Sequence, residues 1–294
     1  MIERRLVYTV PPEYDGRRLL AFLRGALNMS ARSVTKLRHD PGSLLLDGRP
    51  IRTVDPVRAG NVVTVLLHEP ESGVDAAGEM PEILYEDDDL LVINKPAGLA
   101  VHPTHNHQGD TLANAAAAYL AAKGKAGAFR AVGRLDKQTS GIVLCALHRH
   151  SASLMTGAYQ KTYLAVAEGL FTGSGEIDRP IVRPDPMKTL RWVGEGGDPA
   201  LTRWQALKTD GVRTLLSVRP VTGRTHQIRV HFASLGAPLA GDAMYGGHTD
   251  LIGRAALHCY TLRLAHPITG AALELTAPPP PDLLRLTEGM RDLD

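Results

Sequence analysis

Apolar residues recur at helical spacing through Leu19, Leu20, Phe22, Leu23, Ala26 and Leu27, which predicts a helix over residues 17–27. Ser30 then precedes a short basic segment, residues 31–38, that Pro41-Gly42 stops, the punctuation of a second helix. The pattern next changes to short apolar runs. Residues 44–46, an Asp47-Gly48 turn, residues 50–53 and residues 61–67 read as strands. Together these elements form a small helix–helix–strand module ending near His68.

Residues 69–81 are acidic, carry Gly, Ala and Pro, and show no period, as in a linker. Beyond them, residues 83–85 and 90–94 predict two strands around an acidic turn. An alanine-rich helix follows over 111–122, then a buried strand over 142–147. A helix over 149–159 precedes a strand over 162–167. Residues 201–207 and 213–219 flank Asp210-Gly211 as a hairpin, and 225–235 read as a helix closed by Gly236. Two late strands, 256–265 and 272–275, precede a proline run and a short terminal helix. Strands arrive in hairpins with few helices between them, which predicts an α+β fold on a mixed, largely antiparallel sheet rather than a doubly wound one. No internal repeat is visible. The expected organisation is a module over 1–69, an acidic linker over 70–81 and a larger domain over 82–294.

Charge sharpens this division. The net charge is only +2, yet residues 1–69 hold 11 Lys/Arg against 7 Asp/Glu, a balance of +4. Between Arg17 and Arg38 stand six basic residues and no acid, while between Glu69 and Asp89 stand nine acids and no base. A basic head therefore precedes an acidic joint, and the head suits a polyanion. The hydrophobic share of 44% supports a real core. Cys145 and Cys259 lie far apart and in no paired motif, which argues against a disulfide framework or a cysteine zinc site. The first residues carry no apolar run resembling a signal peptide, and no stretch approaches the ~20 apolar residues of a bilayer span. A soluble, cytoplasmic protein is expected, with no membrane partner.

The segment richest in chemistry is Gly133-Arg134-Leu135-Asp136-Lys137-Gln138-Thr139-Ser140-Gly141. It is a polar loop that feeds an aliphatic strand and sets an Asp among cations, which favour the carboxylate. Taken alone, the feature also fits a surface salt bridge. The stretch resembles the H-R-L-D-x-x-T-S-G signature of the RluA-type RNA pseudouridine synthases, with Gly133 standing where that family has His. Three further segments are similar to the family in the same order. They are Leu91 to Pro103, the K-x-Y-x-A run Lys161-Thr162-Tyr163-Leu164-Ala165, and Gly223-Arg224-Thr225-His226-Gln227-Ile228-Arg229-Val230-His231. Gly241-Asp242-Ala243-Met244-Tyr245-Gly246 fits the loop that follows. The resemblance spans residues 83–278.

The resemblance implies an isomerase that converts uridine to pseudouridine. It assigns the essential carboxylate to Asp136, a base-stacking ring to Tyr163 and the counter-charge of the Asp to Arg229. Arg134 is implied to hold the extruded nucleotide, and Lys161 is counted with it as substrate-binding. The reaction is redox-neutral, so no cofactor is expected. The first module resembles a small RNA-binding domain named after a ribosomal small-subunit protein. Its basic helix residues Arg32, Lys36 and Arg38 are expected to meet RNA phosphates. The expected partner is structured RNA, with the two-domain layout favouring ribosomal over transfer RNA, bound by a monomer.

Two competing readings remain at this stage. One is an RNA-binding or ribosome-assembly protein without catalysis, for which Gly133 is the only pointer. The other is a metallohydrolase built on His102, His105 and His107, whose spacing could hold zinc but whose loop offers no fourth ligand nearby. His148 and His150 are expected on a solvated helix start, and Gly194-Glu195-Gly196-Gly197 at a hairpin tip or in an insertion.

Overall fold

The computed structural model describes residues 2–69, 73–103, 108–125 and 129–293. Its first element is one that the apolar pattern does not announce. Strand Ile2–Thr9 pairs antiparallel with Val62–Glu69 along its whole length. Of its described side chains Leu6 alone is buried, so the alternation is too thin to read. The sheet is completed by Leu44–Leu46 and Arg49–Pro50. Helices α1 (Leu19–Gly25) and α2 (Ala31–Arg38) pack on it around Leu6, Phe22, Leu23, Val34, Leu37 and Val63. The Ser30 hydroxyl caps α2 by accepting from the Ser33 amide at 3.1 Å.

A second, larger core is built on an 11-stranded sheet. Helices α3 (Leu112–Ala122), α4 (Arg149–Met155), α5 (Gln227–Ala233) and α6 (Pro281–Thr287) flank it. The expected α+β class holds. Three helices are shorter than the period suggests, the first being α1, which spans Leu19–Gly25 rather than 17–27. Gly157 turns the chain with positive φ after α4, and Tyr159 already begins strand Tyr159–Ala167. His226 lies in the left-handed region, so α5 starts at Gln227 rather than 225. Residues 194–197 form a turn, but after the second strand of the small hairpin of Ile181–Val182 with Trp192–Val193 rather than at its tip.

One seam of this sheet positions everything that follows. Strand Leu257–Ala265 runs antiparallel to Tyr159–Ala167 but parallel to Ser140–Ala146. His258 and Cys259 are the shared rungs, Cys259 being paired with Gly141 on one side and with Tyr163 on the other. Gly141 has φ +104°, and a Cβ there would run into the Cys259 carbonyl. Only glycine fits a position where two backbones approach this closely.

The two sheets meet at a polar joint. Arg4 donates from Nε and Nη2 to the two carboxylate oxygens of Asp89, both at 2.9 Å. His148 Nε2 lies 2.8 Å from Asp89 Oδ1. Arg130 donates to Glu69 at 2.6 Å, and the Arg149 amide donates to the same carboxylate at 3.0 Å. His148 and His150, expected on a solvated helix start, are instead buried. The acidic run ending at Asp89 is likewise not all solvent-facing, because Asp89 is buried between Arg4 and His148. Sequence cannot show that a charge run turns inward when its partners lie 85 and 59 residues away. Of the acidic stretch before residue 82, residues 73–81 form no strand or helix, yet the Asn114 side chain donates to the Asp75 carbonyl at 2.8 Å. Among the described residues, no helix is long and apolar enough to cross a membrane.

Candidate active site

The loop before strand Ser140–Ala146 carries Asp136 and is held from several sides. The Thr139 amide donates to the Asp136 carbonyl at 3.0 Å, and the Gly98 amide to the Lys137 carbonyl at 2.8 Å. Beneath it lies Lys95, fully buried, whose ammonium donates to the carbonyls of Pro96, Leu99 and Lys137 at 2.8, 2.9 and 3.2 Å. Burial, then Arg254, push this ammonium down to about 7, against Asp136. Three carbonyls each taking one N–H oppose that shift and favour the protonated form. Ser140 meets His258 Nδ1 at 2.9 Å, and His258 Nε2 faces the Ala277 carbonyl at 3.1 Å. A carbonyl only accepts, so Nε2 carries the proton and the Ser140 hydroxyl donates to Nδ1.

Asp136 opens into a cavity of about 570 Å³. Its walls include Arg134, Tyr163, His226, Arg229 and Leu257. The Asp136 side chain is 24% exposed, while Arg229 beside it is buried. Arg229 Nη1 lies 3.6 Å from Asp136 Oδ2. Its shorter bonds go elsewhere: Nε and Nη2 donate to the two oxygens of Asp242, both at 2.7 Å. Its guanidinium also sits 5.0 Å from the centre of the Tyr245 ring. Arg229 therefore does face Asp136, but its principal ion pair is with Asp242, in the loop whose motif match assigns that residue no role.

Tyr163 is buried on its strand, and burial, then Cys259, raise its hydroxyl well above the ordinary value. It presents a neutral aromatic side chain to the cavity. Lys161 also lines the cavity, but its ammonium donates to the Ile142 carbonyl at 3.0 Å. Arg134 is exposed at the cavity wall. Arg32, Lys36 and Arg38 are not brought to this cavity. They stand exposed on α2 in the first module, where Lys36 donates to the His68 carbonyl and Arg38 to Thr53, both at 2.8 Å. Arg32 and Lys36 line a second groove, of about 820 Å³, that continues onto Arg149 and His150 across the joint.

Three residues of this site carry no individual role on sequence alone: Asp242, Tyr245 and His226. Each stands inside a matched motif, and only the fold shows that they converge. Gly133, where the related signature has His, has φ +81°, and a Cβ there would meet the Tyr159 hydroxyl. Tyr159 thus occupies the ground that a larger residue would need. Of the histidine loop, His105 and His107 lie outside the described residues. His102 packs edge-on against Phe129 with ring centres 5.7 Å apart.

Comparison with known proteins gives one consistent result. Residues 89–234 match the RNA pseudouridylate synthase family model. The uncharacterized RNA pseudouridine synthase YhcT of Bacillus subtilis is 36% identical, over 96% of this chain and 96% of the relative. Ribosomal large subunit pseudouridine synthase D of Vibrio vulnificus is 35% identical, over 97% of this chain and 94% of the relative. Among solved structures, Human RNA Pseudouridylate Synthase Domain Containing 4 superposes with a TM-score of 0.57 at 25% identity, covering 72% of this chain and 94% of that one. The match extends well beyond the motif loop, over both the first module and the large sheet, and on it the chain belongs to the RluA-type RNA pseudouridine synthases, isomerases that act on RNA.

Proposed function

We propose that this isomerase converts a uridine of ribosomal RNA to pseudouridine, with Asp136 acting at the sugar and no cofactor. The observation that carries the chemistry is the carboxylate of Asp136, half-buried in a cavity with the Arg229 guanidinium 3.6 Å away. Acting as nucleophile or as base, the carboxylate must start ionised, and a fixed cation supports that form. The reaction breaks the N1–C1′ bond and forms C5–C1′, with no net change in oxidation state. The ribosomal target is supported by relatives whose names give the large ribosomal subunit.

In this reading Tyr163 offers its ring to the extruded base, since a base leaving its stack is stabilised by an aromatic face. Arg134 and Lys161 hold the nucleotide at the rim and floor. Residues 1–69 form the RNA-binding module, with Arg32, Lys36 and Arg38 on phosphates, and residues 82–294 form the catalytic domain. The enzyme works as a monomer in the cytoplasm. The test is pseudouridine mapping of cellular RNA with and without the gene. Loss of one or a few ribosomal sites on deletion, restored by the wild-type gene and not by Asp136→Asn, is the expected result. Loss confined to transfer RNA would overturn the ribosomal assignment.

A further inference from the structure

We propose that His226 is a catalytic residue of this enzyme, a neutral imidazole whose Nε2–H stabilises the uracil as it leaves C1′. The inference rests on Asp136 acting at the sugar, and it assigns a separate group to the other end of the bond that breaks.

The geometry comes from three observations. First, His226 lies on the wall of the cavity with its Nε2 3.9 Å from Asp136 Oδ2. That is too far for a hydrogen bond and leaves the nitrogen facing the same space as the carboxylate. A nucleotide whose sugar meets Asp136 brings its glycosidic bond close to Nε2. Second, the other ring nitrogen is fixed. His226 Nδ1 lies 2.8 Å from the Tyr245 hydroxyl. That oxygen already accepts the Arg191 amide at 3.1 Å. With the Arg191 amide on one side of that oxygen, we assign the Tyr245 proton to Nδ1, which puts the imidazole proton on Nε2. Third, the backbone of His226 is strained for this placement. It has φ +56°, a left-handed conformation that costs a non-glycine residue roughly 1–2 kcal/mol. Such strain collects at functional sites.

The electrostatic setting agrees with a neutral ring. Burial, then Arg229 and Arg191, lower the His226 pKa, while Asp136 and Asp242 raise it. A neutral imidazole donates a hydrogen bond to a developing anion without giving up its proton, a pattern used where carbonyl oxygens gain charge. The step balances without a proton transfer from His226. The N1–C1′ electron pair departs with the uracil and spreads over N1 and its carbonyl oxygens, which Nε2–H then meets. The pair is returned when C5 bonds to C1′. The C5 proton is then lost to solvent water, and N1 takes one proton from it, so the product is an isomer of the substrate. Tyr245 is the positioning residue, since it acts through His226.

The test uses the full-length enzyme, an RNA carrying the mapped uridine and the same RNA made with 5-fluorouridine. Fluorine withdraws electrons and makes the base a better leaving group, so it needs less help. Two deletions of the donor from the Nε2 position, His226→Gly by removing the side chain and His226→Asn by shortening it, both accept the left-handed backbone, and His226→Gln keeps an amide N–H that reaches that position. The rate read is single-turnover loss of the N1-linked nucleoside in nuclease digests. Removing a donor of this kind costs roughly a hundredfold. Either deletion should slow the uridine RNA by about that factor and the fluorinated RNA by about tenfold less, with RNA affinity unchanged and Gln restoring most of the rate. Equal slowing on both RNAs, or no slowing, overturns the proposal. Asp136→Asn is run alongside. If that variant isomerises uridine, the assignment of Asp136 fails, whatever His226 does.

Discussion

Arg229 grips Asp242 with two nitrogens at 2.7 Å and turns the third toward Asp136 at 3.6 Å. The bidentate pair fixes the plane of the guanidinium, so the counter-charge reaches Asp136 at a set distance rather than by its own flexibility.

Asp242→Asn should therefore damage both stability and rate. It replaces one carboxylate oxygen with an N–H donor aimed at the guanidinium. Breaking one side of a buried ion pair costs about 3–5 kcal/mol, readable as a lower urea midpoint. Arg229→Lys should fare little better, because an ammonium cannot span both Asp242 oxygens and face Asp136 as well. A double-mutant cycle between Arg229→Lys and Asp242→Asn on single-turnover rate checks the link, with additive effects counting against it.

Asp136→Asn should abolish isomerisation and leave RNA affinity within about tenfold, ~1.4 kcal/mol. The substitution keeps the shape of a half-buried side chain while removing its charge. Filter binding and a pseudouridine assay on the same preparation separate the two outcomes.

Gly133→Ala should be destabilised for two distinct reasons. The left-handed backbone costs roughly 1–2 kcal/mol, and the new Cβ meets the Tyr159 hydroxyl. Tyr159→Phe removes the hydroxyl and should recover the steric part alone. The expected coupling is about 0.5–3 kcal/mol in a thermal or urea cycle, and zero coupling would show that the Tyr159 side chain already yields.

Acid should weaken the fold through His150. Burial, then His148, lower its pKa to about 4, against Asp89. A free histidine titrates near 6.5, so between about pH 6.5 and 4 the unfolded chain binds a proton that the folded chain refuses. Stability is full above that window and falls as pH drops through it, by about 2 kcal/mol between pH 7.5 and 5. Urea unfolding across this range measures the slope, and His150→Gln should flatten it.

Replacing Arg32, Lys36 and Arg38 by Ala should weaken RNA binding with little effect on the single-turnover rate at saturating RNA. None of the three lines the Asp136 cavity. The dependence of log affinity on log salt should become shallower by roughly 0.7–0.9 for each phosphate that the variant no longer neutralises.

Much of this site was legible because its motifs carry local, spacing-bound demands. Gly141 is required by its close approach to Cys259, and α2 begins at Ala31 because Ser30 caps it. Eight of the eleven strands of the large sheet could be read from their apolar runs, but Arg130–Val132, Ser174–Asp178 and Arg291–Asp292 could not. What stayed hidden depends on residues distant in sequence. Asp242 and Tyr245 acquire their roles only when their loop meets α5. His148 is solvated or buried according to whether Asp89 turns inward. Strand Ile2–Thr9 exposes most of its side chains, so its identity comes from pairing with Val62–Glu69 and not from its own pattern.

The parallel seam of His258 and Cys259 with Ser140 and Gly141 has a consequence for the order of events in synthesis. Asp136, Tyr163, Arg229 and Asp242 are all made before residue 257, yet the strand that joins the first two has not emerged. Pairings that span more than a hundred residues form late, because a long loop must close before they stabilise anything. A ribosome-bound chain halted at residue 256 holds every proposed catalytic side chain and no assembled site. Activity should appear abruptly, as strand Leu257–Ala265 leaves the exit tunnel and slots between its two neighbours.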